Sequence, residues 1–257
     1  MQYAACIVPA APVYKSATHN VEMTNQLLFG DTVAILADTD RQWFQIKSLY
    51  DNYEGWVRKT QLEAITVSLA EINDYNVVGA PFNYLEVNDT AMCIPFGASL
   101  TGYDGTAGQI GNFRYRYTGS DACRRNSQLP SEALVRTLTA QWLHAPYLWG
   151  GKTIMGVDCS GFAQVIYKML GIGISRDAWQ QAKQGTAIGF LQEAQCGDLA
   201  FFDDAEGKIV HVGILLSQYE IIHASGQVRI DKIDNQGILN STTGLRTHQL
   251  RIVKRFF

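Results

Sequence analysis

Cys159 stands between Asp158 and Ser160-Gly161-Phe162, at the head of an apolar run from Ala163 to Leu170 with helical spacing. A cysteine in the first turn of a buried helix meets unpaired backbone N–H groups and the positive end of the helix dipole. Both favour the thiolate, the nucleophilic form of the side chain. Asp158 is a suitable N-cap for that helix. Downstream, His211 and His223 fall in two β-like runs that can form a hairpin. Hydrolysing an amide through cysteine needs a nucleophile, a group that takes and returns a proton, and something to orient that group. Histidine, with an unperturbed pKa of ~6.5, suits the proton work near neutrality. The three residues read together as a cysteine hydrolase.

The histidines carry a geometric condition. Side chains alternate faces along a strand, so His211 and His223 must share a face if they are to touch. A two-residue turn at Ser217-Gln218 would pair Leu216 with Tyr219 and put the two rings on opposite faces. Direct pairing of His211 with His223 requires an odd-length loop, such as 216–218, or a bulge, and one of these is predicted. His19, His144 and His248 read as ordinary hydrogen-bonded or surface histidines.

The elements that must hold these residues can be traced along the chain. Ser131 caps a helix running through Leu134, Leu138, Trp142 and Leu143, and Pro146 ends it. The Cys159 helix follows. Gly197 to Phe202, Ile209 to Leu216, Tyr219 to Ala224 and a last run near Leu250 to Val253 read as strands. Helices followed by an antiparallel sheet make an α+β pattern. The chain up to about Ile65 consists of short β-like runs separated by turns, as in a small barrel. The stretch to about Gly119 echoes it: Leu28-Phe29-Gly30-Asp31 recurs as Pro95-Phe96-Gly97-Ala98. The expected division is 1–65 and 66–125 for two barrels and 126–257 for the α+β domain, with Asn126 to Pro130 as linker.

A formal net charge of -3 without any run of Lys or Arg argues against nucleic acid and against an anionic membrane surface as partner. No apolar stretch approaches the roughly 18 residues needed to span a bilayer. Met1 to Tyr14 lacks a basic n-region, which points to the cytoplasm, the alternative being a periplasmic or secreted protein whose signal peptide has been removed. Five cysteines, widely spaced, form neither a disulfide framework nor a metal-ligand cluster, so no metal or cofactor is expected.

Pro146-Tyr147-Leu148-Trp149-Gly150-Gly151, Asp158 to Phe162, Arg176-Asp177, Gly197-Asp198-Leu199, His211-Val212-Gly213-Ile214 and Ile221-Ile222-His223-Ala224-Ser225, in that order, resemble the NlpC/P60 cysteine peptidases over about 131–257. The N-terminal half resembles the tandem bacterial SH3 domains of one branch, clearest at Glu22-Met23, Gln26 to Gly30 and Tyr53 to Trp56. The resemblance implies a papain-like catalytic domain behind two SH3-like barrels, with Cys159, His211 and His223 as triad. It implies further that Tyr147, Asp158, Ser160 and Asp177 line the site, and that Glu22 and Tyr53 of the first barrel hold the substrate's free amino end. Acidic groups are natural partners of a free ammonium in a closed pocket. The backbone N–H of Cys159 is one expected oxyanion donor, and Tyr147 is the candidate for the second donor or for fixing the substrate beside it. The branch cuts the γ-D-glutamyl-L-diamino acid bond of peptidoglycan peptides with a free N-terminal L-Ala, a role in recycling. Two alternatives stand beside it: a non-catalytic wall-peptide binding protein, and another papain-like amidase or acyltransferase. No motif reads the far end of the diamino acid, so diaminopimelate and lysine are equally compatible, and the oligomeric state is open.

Overall fold

The computed structural model describes residues 2–39, 42–72, 76–124 and 129–257, the side chains of Cys123 and Arg124 excepted. Most of the linker expected at Asn126 to Pro130 lies outside the described residues. The chain forms two compact units. One runs over Met1–Gln128 and takes in Trp149–Ile154; the other comprises Leu129–Leu148 and Met155–Phe257.

In the first unit, seven strands between Gln2 and Ile65 make one antiparallel sheet curled around Ala11, Val13, Leu27, Val33, Ile46 and Val57. Strand Ala10–Tyr14 pairs with Met23–Leu28 on one side and with Glu54–Arg58 on the other. Residues 76–124 form a four-stranded and a three-stranded sheet around Val78, Leu85, Ile94, Leu100 and Ile110.

The sequence echo is a structural repeat. Asp31 N donates to Leu28 O (3.0 Å) and Ala98 N to Pro95 O (3.1 Å), closing the same four-residue turn twice. The glycine of each turn has a left-handed backbone, with φ of 77° at Gly30 and 80° at Gly97. Each also donates 2.8 Å to the end of a strand, Gly30 N to Cys6 O and Gly97 N to Val78 O. The first copy does extra work, because Phe29 packs edge-on against Tyr115, in the core of residues 76–124, with centroids 5.2 Å apart. That close approach leaves no room at Gly30, where a Cβ would lie 1.8 Å from Ser99 O.

In the second unit, Leu199–Asp203, Ile209–Leu215, Glu220–Ser225, Gln227–Asp234 and Gly237–Leu239 follow one another as antiparallel neighbours. Arg246–Arg255 pairs with both the first and the last of these, closing a six-stranded barrel. This strand is longer than the run expected near Leu250 to Val253, and Gln227–Asp234 and Gly237–Leu239 were not expected as strands. Among the described residues, the helices Glu132–Ala140 and Cys159–Met169 and the short helix Ala178–Gln181 accompany the barrel. The first has the expected Ser131 cap, its Oγ accepting from Leu134 N at 3.3 Å. It ends at Ala140, before Trp142, and the chain reverses at His144 with φ of 70°. Every residue of the Cys159 helix is buried, its Phe162 ring against Trp142 with centroids 5.6 Å apart. Among the described residues no helix is long and apolar enough to cross a membrane.

Two glycines separate backbone conformation from close packing. Gly207 has φ of 78° but nothing within 4 Å of where a methyl group would stand, so Gly207→Ala should cost roughly 1 kcal/mol for the left-handed backbone alone. Gly30→Ala meets the same backbone cost and a backbone oxygen as well, and should cost about 2 kcal/mol more. Urea titration followed by fluorescence checks the difference; equal losses would contradict the packing argument.

Candidate active site

Cys159 occupies the first position of its helix, with Asp158 as N-cap accepting from Gly161 N at 2.7 Å. The Asp158 carboxylate is itself buried and is gripped by Arg176 in a two-pronged ion pair, Nη1 to Oδ1 at 3.0 Å and Nη2 to Oδ2 at 2.6 Å. Arg176 also donates to Ser160 Oγ (2.8 Å), and Gln181 Nε2 donates to Ser160 O (3.1 Å). Arg176 is only 1% exposed, a fully buried guanidinium held by these partners. Asp177 caps the short helix Ala178–Gln181, its backbone N–H donating to Gln180 Oε1 at 3.2 Å. Cys159, Asp158 and Ser160 are therefore fixed by one polar cluster at the helix start.

The Cys159 helix packs on strand Ile209–Leu215. The backbone N–H groups of Val212 and Ser160 act on the Cys159 thiol in the direction of the thiolate. Tyr147 lies close enough for the cysteine to perturb it electrostatically, and its own backbone N–H donates to Gly226 O at 2.9 Å. Burial pushes the Tyr147 phenol up, Cys159 and Asp158 add to this, and the hydroxyl stays a donor.

His211 and His223 meet as required, with Nε2 of the first 2.8 Å from Nδ1 of the second. The connection is odd in length: Leu216 N donates to Glu220 O (2.9 Å), leaving the three residues 217–219 as the loop. The pairing is nevertheless diagonal, where direct opposition was expected. Ile214 faces Ile222 and Leu215 faces Ile221, so the register carries His223 opposite Gly213. A Cβ at Gly213 would lie 2.9 Å from the His223 Cβ, and its absence lets the two rings approach across the gap.

The next strand continues the chain of contacts. His223 Nε2 lies 3.0 Å from Asp231 Oδ2, which also accepts from Arg229 Nε at 2.8 Å, while Asp231 Oδ1 accepts from Ser241 N at 2.8 Å. His248 lies flat on His211, with centroids 4.2 Å apart and planes 26° apart. Asp231, Arg229 and His248 were missed in the sequence. Asp231 lies in Val228-Arg229-Ile230-Asp231, where alternation would bury Val228 with Ile230; Ile230 is instead 40% exposed and Asp231 2%. The site could have been extended by noting a carboxylate eight residues after His223 across a Gly226 turn.

Burial dominates the electrostatics. It pushes the Cys159 thiol up to about 12, with Asp158 adding to the effect and the Val212 and Ser160 N–H groups and Arg176 opposing it. It also holds the His211 imidazole well below the ordinary value of 6.5, helped by its His223, His248 and Arg229 neighbours. The same burial lowers His248 to about 4. The helix terminus alone was expected to favour a thiolate; here desolvation opposes charge on the thiol and on the imidazole alike.

Glu22 and Tyr53 belong to the first unit, each just ahead of a strand that flanks Ala10–Tyr14. Glu22 is exposed, with Oε1 accepting from Trp149 Nε1 at 2.7 Å and Oε2 3.9 Å from Lys15 Nζ. Tyr53 is half-buried, its N–H donating to Asp51 Oδ1 (3.1 Å) and its carbonyl accepting from Ser48 N (2.9 Å).

Similarity to known proteins reaches into both units. The NlpC/P60 family profile matches residues 144–247, and the bacterial dipeptidyl-peptidase SH3 domain profile matches residues 13–62. The γ-D-glutamyl-L-lysine dipeptidyl-peptidase of Bacillus subtilis (strain 168) is 32% identical over 222 residues, spanning 80% of this chain and 73% of that protein. Dipeptidyl-peptidase 6 of Lysinibacillus sphaericus is 25% identical over 265 residues, 91% of this chain and 92% of its own. The crystal structure of an NlpC/P60 family protein from Bacillus cereus superposes with a TM-score of 0.79 at 21% identity, covering 98% of this chain and 99% of that one, a likeness of fold. With a cysteine at a buried helix start, a histidine pair on the adjoining sheet and relatives of this kind along most of its length, the chain belongs to the NlpC/P60 family and is a cysteine peptidase.

Proposed function

We propose that this chain is an endopeptidase that cuts the γ-D-glutamyl-L-diamino acid bond of peptidoglycan-derived peptides with a free N-terminal L-Ala. The observation that carries the reading is the match to the Bacillus subtilis dipeptidyl-peptidase, which extends through both the SH3 and the peptidase regions. Division into 1–65, 66–125 and 126–257 suits it, the first two parts as SH3-like barrels and the last as the peptidase. A requirement for a free amine suits small turnover products rather than glycan-linked wall, hence a recycling role and a cytoplasmic setting, without nucleic-acid or membrane partners.

In this reading the Cys159 sulfur attacks the γ-carbonyl carbon while its proton passes to His211. Moving the proton creates two opposite charges side by side, so each offsets the desolvation of the other in a way neither does alone. The carbonyl π electrons move to oxygen, which meets the Cys159 backbone N–H and the Tyr147 hydroxyl. His211 gives its proton to the departing diamino-acid nitrogen as the C–N bond breaks and a thioester forms. Water, deprotonated by His211, then attacks the thioester carbon, and the thiol leaves with the proton. His223 orients His211. Asp158, Ser160 and Asp177 line the pocket, and Glu22 and Tyr53 recognise the ammonium.

Cys159→Ser keeps size and should keep the fold, yet lower kcat by several orders of magnitude, with His211→Ala as severe and His223→Ala less so. Product analysis by mass spectrometry of L-Ala-γ-D-Glu-diaminopimelate checks this; substantial turnover by Cys159→Ser would sink the mechanism.

The pH profile has a defined sign. His211 must be neutral to accept the proton, and its folded pKa lies below 6.5. Activity should therefore persist as pH falls through that value and disappear only lower, as imidazolium forms. Measuring kcat/KM between about pH 4 and pH 9 tests this; an acid limb centred at or above the ordinary histidine value would count against it.

N-acetylation removes the substrate's charge, and wild type should strongly prefer the free tripeptide. Glu22→Gln or Tyr53→Phe should lose about ten- to a hundredfold in kcat/KM on the free peptide, the worth of one charged hydrogen bond. Equal wild-type rates on the two peptides would refute ammonium recognition; preference surviving both substitutions would remove these two residues from it.

A further inference from the structure

The histidine pair does not end at His223. Its far nitrogen meets a carboxylate that is 2% exposed and accepts from three donors: His223 Nε2 at 3.0 Å, Arg229 Nε at 2.8 Å and Ser241 N at 2.8 Å. We propose that Asp231 is a positioning residue that selects the tautomer of both histidines, so that His211 offers a bare Nδ1 to the Cys159 thiol. The inference rests on the roles given above to Cys159 and His211.

The argument is a count of donors and acceptors. An ionised carboxylate can only accept. Burial by itself would push the Asp231 carboxyl up, but the bonds from His223, Ser241 and Arg229 together hold it well below the usual carboxylate range. His223 Nε2 must then carry the hydrogen. Burial keeps His223 neutral in spite of Asp231, which pulls the other way. Its Nδ1 is therefore a lone pair, and it lies 2.8 Å from His211 Nε2, which must be the donor. A neutral His211 with hydrogen on Nε2 has its lone pair on Nδ1. His248 does not disturb this, since it touches His211 through the ring face and its own Nδ1 lies 2.8 Å from Thr247 Oγ1.

The strand geometry supports a built arrangement. Arg229 stands opposite His223 and Asp231 opposite Ile221, so Asp231 reaches His223 along a diagonal, as His223 reaches His211. In the reaction one proton moves, from Cys159 Sγ to His211 Nδ1. The hydrogens on His211 Nε2 and His223 Nε2 stay where they are, and a single ring, His223, separates the Asp231 charge from the imidazolium that forms. Without Asp231, His223 is free to put its hydrogen on Nδ1, facing that of His211 Nε2, and one of the two rings must turn or change tautomer.

The test uses the full chain labelled with ¹⁵N-histidine and long-range ¹H–¹⁵N correlation spectra. Wild type should show the Nε2–H form at both His211 and His223. Asp231→Ala and the nearly isosteric Asp231→Asn should shift or mix the His223 form and lower kcat about ten- to a hundredfold with KM changed less than about twofold, while Asp231→Glu restores part of the rate. An Nδ1–H form at His211 in wild type would overturn the proposal even if the Asp231 variants fail to fold. So would Asp231→Ala with wild-type tautomers and kcat. Cys159→Ala separates the two levels: if it is inactive while Asp231→Ala equals wild type, only the tautomer role falls; if it stays active, the reading of the site falls and the proposal with it.

Discussion

Burying a carboxylate costs several kcal/mol unless it is paired and hydrogen-bonded, and removing one partner of such a pair costs about 3–5 kcal/mol. Among the described residues, the peptidase unit buries three aspartates, each paired with an arginine: Asp158 with Arg176, Asp198 with Arg255, Asp231 with Arg229. Each pair sits at a junction. The first fixes the start of the Cys159 helix. The second ties the residue ahead of the first barrel strand to the last strand, with bonds of 2.9 and 2.7 Å. The third holds His223. Because none of these charges can be left alone, the strands and helix that carry them have little freedom to shift, and the reacting groups inherit that rigidity.

The same low-dielectric setting shapes the chemistry. Burial pushes the thiol up and the imidazole down, so each charged form is disfavoured unless its opposite stands beside it. The backbone N–H groups of Val212 and Ser160 and the nearby Arg176 charge all favour the thiolate, so part of its stabilisation is in place before the charge develops.

The two matching turns of the first unit show how packing puts the same local motif to different use. Both turns retain the left-handed glycine, because a 180° reversal in four residues requires it there. At Gly30 the glycine is also needed for space, since Phe29 and the adjoining backbone pack into the joint with residues 76–124. The turn was legible as a repeat in Phe29-Gly30 and Phe96-Gly97; the joint was not, since nothing local to Phe29 says what it packs against.

What the sequence by itself determined is whatever depends on near neighbours in the chain. Cys159 at a capped helix start, the Ser131 cap and the twin turns are local, as is the parity rule that demanded an odd loop between His211 and His223. Tertiary structure decided which charges go inside. Hydropathy alternation ranks Ile230 above Asp231 for burial, yet Arg229 and Ser241 satisfy the carboxylate and the phase is reversed. It likewise decided that Arg176 is core, that His248 lies on His211 and that Trp149 shares Glu22. A polar group goes inside only where the fold supplies it a partner, as Ser241 does for Asp231 and Asp158 for Arg176, and the residues around the group do not announce that partner.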